Sequence, residues 1–152
     1  MPDRPAELIA QHELRPHPEG GWYVQVHRST QTVQPADGRP PRNALTAIYF
    51  LLKKGEKSRW HRVQSDEIWT LLEGGPLHLH TWESGGVATK VLDRATPLLV
   101  VPAGQWQAAE PTGEYAFVAC FVGPGFDFED FALIEGTAAD EPALPAAWRR
   151  LA

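Results

Sequence analysis

The sequence predicts an all-β domain, a small antiparallel barrel with short terminal helices, and three observations carry that reading. Short apolar or alternating runs recur from residue 44 to residue 122, each bounded by turn residues, in the manner of a barrel or sandwich. Gly55, the Gly74-Gly75 pair, the Gly85-Gly86 pair and Gly104 supply the positive φ that tight hairpins require. No helical period persists outside the terminal segments.

Taken in order, Pro5 to His12 suits one short helix, and Arg15 to Gly21, broken by two prolines and two glycines, suits a loop or turn. Trp22 to Ser29 alternates as a strand does. Gln34 to Arg42, which carries Pro35, Gly38, Pro40 and Pro41, is expected to be an exposed loop. Strands are then expected at Ala44 to Leu52, Ser58 to Val63, Glu67 to Leu72, Pro76 to Trp82, Val87 to Leu92, Pro97 to Val101 and Tyr115 to Val122, with Gln107 on a further inward-facing strand. Pro124 and Gly125 set a tight bend, after which the block to Phe131 reads as a strand that plugs or edges the barrel. The tail from Ala138 is rich in Ala and Pro and has room for a helical turn or two near Trp148.

With 152 residues the chain is expected to form a single domain, residues 1 to 152, around one core, to which six Trp, six Phe and three Tyr contribute large apolar surfaces. The net charge of −5, with Lys and Arg scattered, recruits neither nucleic acid nor an anionic membrane. Asp3, Arg4 and Glu7 among prolines resemble neither a signal peptide nor a membrane span. The lone Cys120 lies in an apolar run, so it reads as a small buried hydrophobe in a cytoplasmic, reducing setting.

Alternation places His61 and Val63 on one strand face, and Glu67, Trp69 and Leu71 on one face of the next. A turn through Gln64, Ser65 and Asp66 then sets His61 across from Glu67, and Gln107 follows the turn Pro102-Ala103-Gly104 into the same interior. Trp60 and Trp106 fall on the opposite face as packing or interface residues. His61 is the candidate general base, because imidazole titrates near neutrality, and Glu67 is the group that orients it. Gln107, Trp69 and Tyr49 are candidate ligand contacts, the two aromatics as a wall against a sugar ring or planar group. The plainer alternative is that His61 and Glu67 only satisfy each other inside the barrel.

At these residues the chain resembles the cupin superfamily. Its first motif reads here as Gly55, His61, Val63, Glu67 and Gly74 with every spacing kept, and its second as Pro102, Gly104 and Gln107. A closer resemblance, to the cupin subfamily catalogued as Cupin_5 or DUF985, rests on five blocks in order. They are His17-Pro18-Glu19-Gly20-Gly21, Ile48-Tyr49-Phe50-Leu51-Leu52, Trp60-His61-Arg62 with Ser65-Asp66-Glu67-Ile68-Trp69, the run Val101 to Gln107, and the run Pro124 to Phe131. The resemblance implies a double-stranded β-helix barrel of the jelly-roll type, and a homodimer.

Two of the four ligand positions that the resemblance marks are changed, to Val63 and to Gln107. His61, Glu67 and Gln107 could still hold a divalent first-row ion, but an amide oxygen is a weaker donor than imidazole, so a metal-free pocket is the expectation. Leu77 and Leu79 read as core, which turns His78 and His80 to solvent. The leading functional reading is an enzyme that moves a proton on a small polar or carbohydrate-like ligand, as sugar epimerases and isomerases of similar fold do. The alternatives are a non-catalytic ligand-binding module and a metal-dependent cupin with a reduced ligand set.

Overall fold

The computed structural model describes residues 2–136 and 140–152. Helix α1 (Arg4–His12) begins at Asp3, whose side chain accepts the Ala6 N–H at 3.2 Å, with Pro5 in the first turn, and it ends at Glu13 in the left-handed region. Thirteen strands follow: β1 (Arg15–Pro16), β2 (Trp22–Arg28), β3 (Thr32–Val33), β4 (Arg42–Asn43), β5 (Thr46–Lys53), β6 (Ser58–Val63), β7 (Asp66–Gly74), β8 (Leu77–Glu83), β9 (Gly86–Leu92), β10 (Leu98–Val101), β11 (Gln107–Pro111), β12 (Tyr115–Gly123) and β13 (Phe131–Leu133). Two 3-10 helices, Phe128–Asp130 and Ala146–Leu151, complete the order.

The strands form two facing antiparallel sheets, ordered β1-β2-β5-β12-β7-β10 and β13-β6-β11-β8-β9, with a small β3-β4 ladder beside them. Inward residues of both sheets, Phe50, Leu52, Trp69, Leu77, Leu79, Val101 and Val118 among them, fill the space between as one core. Alternation leaves a second apolar row on each outer face, and each is covered by a terminus. Helix α1 lays Leu8 on Leu51 and Phe117, while Leu144 and the C-terminal 3-10 helix, with Trp148 and Leu151, cover Trp60 and Trp106. Trp60 Nε1 donates to the Trp148 carbonyl at 3.0 Å.

Four expectations need correction. Tyr49 does not face the interior: it lies on the outer face beneath α1, against His12 and Phe117. His80 is not turned to solvent, because Trp148 closes over it and its ring nitrogens meet Thr89 Oγ1 at 2.7 Å and Glu110 Oε2 at 2.8 Å. His78 beside it is half-buried. The segment from Gln34 to Arg42 is not wholly exposed either, since Arg39 and Arg42 both close on the buried Asp130 at 2.8 and 2.9 Å. The block from Pro124 to Phe131 is strand only at its end: Phe128–Asp130 form a 3-10 helix, and β13, which pairs with β6, begins at Phe131. Of the tail, the turn near Trp148 is present, and Ala138 lies outside the described residues.

Two bulges shape the interior. Between Ser58 and His61 strand β6 carries one residue more than β11, so both side chains point inward although their spacing is odd. In β2 the extra residue is Val26, between the Gln25–Ile48 and His27–Ala47 pairs.

Candidate functional site

A cavity of about 300 Å³ opens between the sheets at the end where β6 and β12 finish and β5 and β7 begin. His61, Val63 and Glu67 line it, as expected, but Glu19 and His17 line it too. They arrive on the segment between β1 and β2, drawn in by a backbone contact: the Arg59 N–H donates to the Glu19 carbonyl at 2.7 Å. A Cβ on Gly20, whose φ is +109°, would stand 2.1 Å from the Lys57 carbonyl oxygen. Only glycine permits that approach.

The buried partner of His61 is therefore Glu19 and not Glu67. His61 Nε2 stands 3.0 Å from Glu19 Oε2, and Nδ1 stands 2.6 Å from the Arg59 carbonyl oxygen. Both nitrogens face acceptors, which requires a proton on each, so His61 is an imidazolium. Burial by itself would push the His61 pKa down, but the Glu19 carboxylate, helped by Glu67, overrides it and raises the value to about 9. Burial likewise works to raise Glu19, and His61, together with the Ser58 hydroxyl that donates to it, holds Glu19 at about 2. His17 Nδ1 accepts the Glu19 backbone N–H at 3.1 Å, so its 3.4 Å approach to Glu19 Oε1 is no ion pair, and burial holds its pKa below the ordinary value.

Glu67 stands differently. Gln107 Nε2 donates to Glu67 Oε1 at 2.8 Å, and the Gln107 oxygen accepts Trp69 Nε1 at 2.9 Å. Indole nitrogen can only donate, so Trp69 fixes which end of the Gln107 amide faces Glu67. Glu67 Oε2 takes no hydrogen bond among the described residues and faces the cavity. Burial, partly offset by the nearby imidazolium, pushes the Glu67 pKa up to about 7. Gln107 and Trp69 sit behind Glu67 rather than on the cavity wall. Tyr23, Phe126, Phe128 and Phe131 form the aromatic wall instead, with Phe131 stacked 5.6 Å from His61.

The family model described as "Cupin superfamily (DUF985)", Cupin_5, matches residues 6–134. The chain belongs to the Cupin_5 family. Its relatives include the uncharacterized protein YML079W of Saccharomyces cerevisiae, 28% identical over 159 residues, or 90% of this chain and 79% of that protein. Among solved structures, a hypothetical protein from Leishmania major is 31% identical with a TM-score of 0.78, over 85% of this chain and 86% of that one. Protein SO0799 from Shewanella oneidensis is 34% identical with a TM-score of 0.73, over 84% and 82%. Oxalate decarboxylase from Bacillus subtilis shares the fold at 16% identity and a TM-score of 0.60, over 78% of this chain and 29% of that one.

Oxalate decarboxylase is described as holding Mn(II) centers. In this Cupin_5 chain the residues at the ligand positions do not fit an ion as they stand. Val63 has no donor atom, the Gln107 oxygen is taken by Trp69, and both His61 nitrogens are engaged. Among the described residues no group of three or more His, Cys, Asp or Glu is set to hold a metal.

The Trp69–Gln107–Glu67 relay makes its own prediction. Trp69→Phe keeps the ring and removes the donor, leaving the buried Gln107 oxygen without a partner at a cost of about 1–3 kcal/mol. Urea denaturation measures it. A variant as stable as the parent would show that the relay does not hold Glu67 in place.

Proposed function

We propose that the cavity binds a small polar, carbohydrate-like ligand and moves a proton on it, with Glu67 as the acid–base group. The observation that carries this is the free Glu67 Oε2 on the cavity wall, in a carboxyl whose pKa is pushed up to about 7. A group of that pKa accepts and returns protons at neutral pH. The roles read from the sequence are exchanged: His61 has no lone pair to offer while Glu19 and Arg59 hold it, so it serves as a fixed positive charge.

For a ligand with a C–H beside a carbonyl, the C–H bond breaks, the proton passes to Glu67 Oε2, and the electron pair moves to the carbonyl oxygen as an enolate. The His61 imidazolium lowers the energy of that developing negative charge. In a ligand with a hydroxyl on the deprotonated carbon, that hydroxyl's proton passes to the former carbonyl oxygen and Glu67 returns its proton, on the same face, to the neighbouring carbon, which gives the isomer. To test this, small molecules retained through native purification are identified by mass spectrometry and incubated with the protein in D2O. Gain of carbon-bound deuterium is expected. A ligand recovered without deuterium would leave the cavity a binding site only.

The same reading needs no metal. Protein purified without chelator is expected to carry less than about a tenth of an equivalent of any first-row transition metal, with no gain in thermal stability on adding Mn2+. One tightly held ion per chain would overturn it.

A further inference from the structure

Strict alternation along β2 would set Arg28 on the face of Val24, which packs outward beneath α1. The Val26 bulge reverses this. After it Arg28 pairs with Thr46, an inward residue of β5, and its solvent-exposed side chain lines the cavity, where it is the sole Lys or Arg among the described residues. Bulges beside functional sites re-aim side chains in this way.

The guanidinium is oriented by neutral groups. Nε donates to Gln25 Oε1 at 3.1 Å and Nη1 to Asn43 Oδ1 at 2.8 Å, and Asn43 is itself tied by its amide to the Ser29 carbonyl at 2.8 Å. Arg4, Arg39, Arg42, Arg62 and Arg150 each close on a carboxylate, whereas Arg15, Arg28, Arg59, Arg94 and Arg149 form no ion pair among the described residues, and of these five Arg28 is the one that lines the cavity. Asp127, another acid lining the cavity, caps the 3-10 helix by accepting the Glu129 N–H at 2.9 Å and forms no ion pair with Arg28. In a chain of net charge −5, an oriented and unneutralised guanidinium facing a cavity is a site for an anion.

Its place in the sheet gives the length of the ligand. Arg28, Thr46, Val122 and Glu67 are register partners across β2, β5, β12 and β7, and all four line the cavity. Three strand spacings separate Arg28 from Glu67, about 14 Å between their Cα atoms. The exposed Arg28 at one end of the row and the buried Glu67 carboxyl at the other leave room for a ligand of a few carbons.

We propose that the ligand is anionic, with a carboxylate or phosphate held by Arg28 at one end of this row and its reacting carbon beside Glu67 at the other. The second half rests on the proton-transfer reading above; the first does not. Ligand-observed NMR with glucose, glucuronate and glucose 6-phosphate tests it on the parent and Arg28→Gln chains. The parent is expected to bind at least one of the two anionic sugars at least about tenfold more tightly than glucose, the effect of one charge-assisted pair. R28Q brings that sugar to the level of glucose. The two anionic arms tell carboxylate from phosphate. Equal binding of all three sugars, a preference that survives R28Q, or no binding of either anion overturns the proposal. A preference lost in R28Q, together with absence of deuterium exchange in the parent, would sink proton transfer and leave the anion site standing.

Discussion

Glu67→Gln is expected to lower proton exchange on the bound ligand by about 10²–10⁴-fold, the range that a positioned acid–base group contributes. The fold should survive, because the glutamine oxygen still accepts the Gln107 amide that now donates to Glu67 Oε1. In the parent, exchange should rise with pH through about 7 as Glu67 ionises. Stability should move the other way. A carboxyl raised from 4.5 to about 7 stabilises the fold most fully below 4.5, and that contribution is lost as pH rises through 7. Thermal denaturation between these pH values should therefore fall more steeply in the parent than in E67Q. Parallel curves, or exchange undiminished in E67Q, would remove Glu67 from the role.

Glu19→Gln carries the largest expected effect on stability. It leaves the His61 imidazolium buried without its counter-charge, a loss of about 3–5 kcal/mol for one partner of a buried pair. The pH dependence has a definite shape. His61, raised from 6.5 to about 9, contributes fully below 6.5 and loses its contribution as pH rises through 9. Glu19, lowered from 4.5 to about 2, contributes fully above 4.5 and loses its contribution as pH falls through 2. The gap between parent and E19Q should be widest from about pH 4.5 to 6.5 and narrow on either side, as read by urea denaturation, while NMR follows the His61 ring. A constant gap, or a parent imidazole titrating at its ordinary value, would show that the pair is not ionic.

The fold was legible because period-two patterning is a local property. Ser58–Val63 was placed to the residue, Leu77 and Leu79 were assigned to the core, and Trp60 and Trp106 to the face opposite His61 and Gln107. The motif spacing likewise put His61 and Glu67 on one cavity. What failed was pairing over distance. The partner of His61 comes from 42 positions away, and its only signal was an acid flanked by a histidine and two glycines in the block His17 to Gly21. Tyr49 and Trp69 alike read as an aromatic wall from their sequence positions, yet one faces α1 and the other braces Gln107.

By itself the sequence determined the longer strands, though not the two-residue strands β1, β3 and β4, the face that each inward side chain occupies within an unbroken strand, and the family whose motifs it keeps. Tertiary structure alone decided the protonation of His61, the free oxygen of Glu67 and the inward turn of Arg28. The reason is physical: charge state depends on burial and on partners brought from distant segments, and a single bulge residue reverses a strand's faces without leaving a mark in its composition.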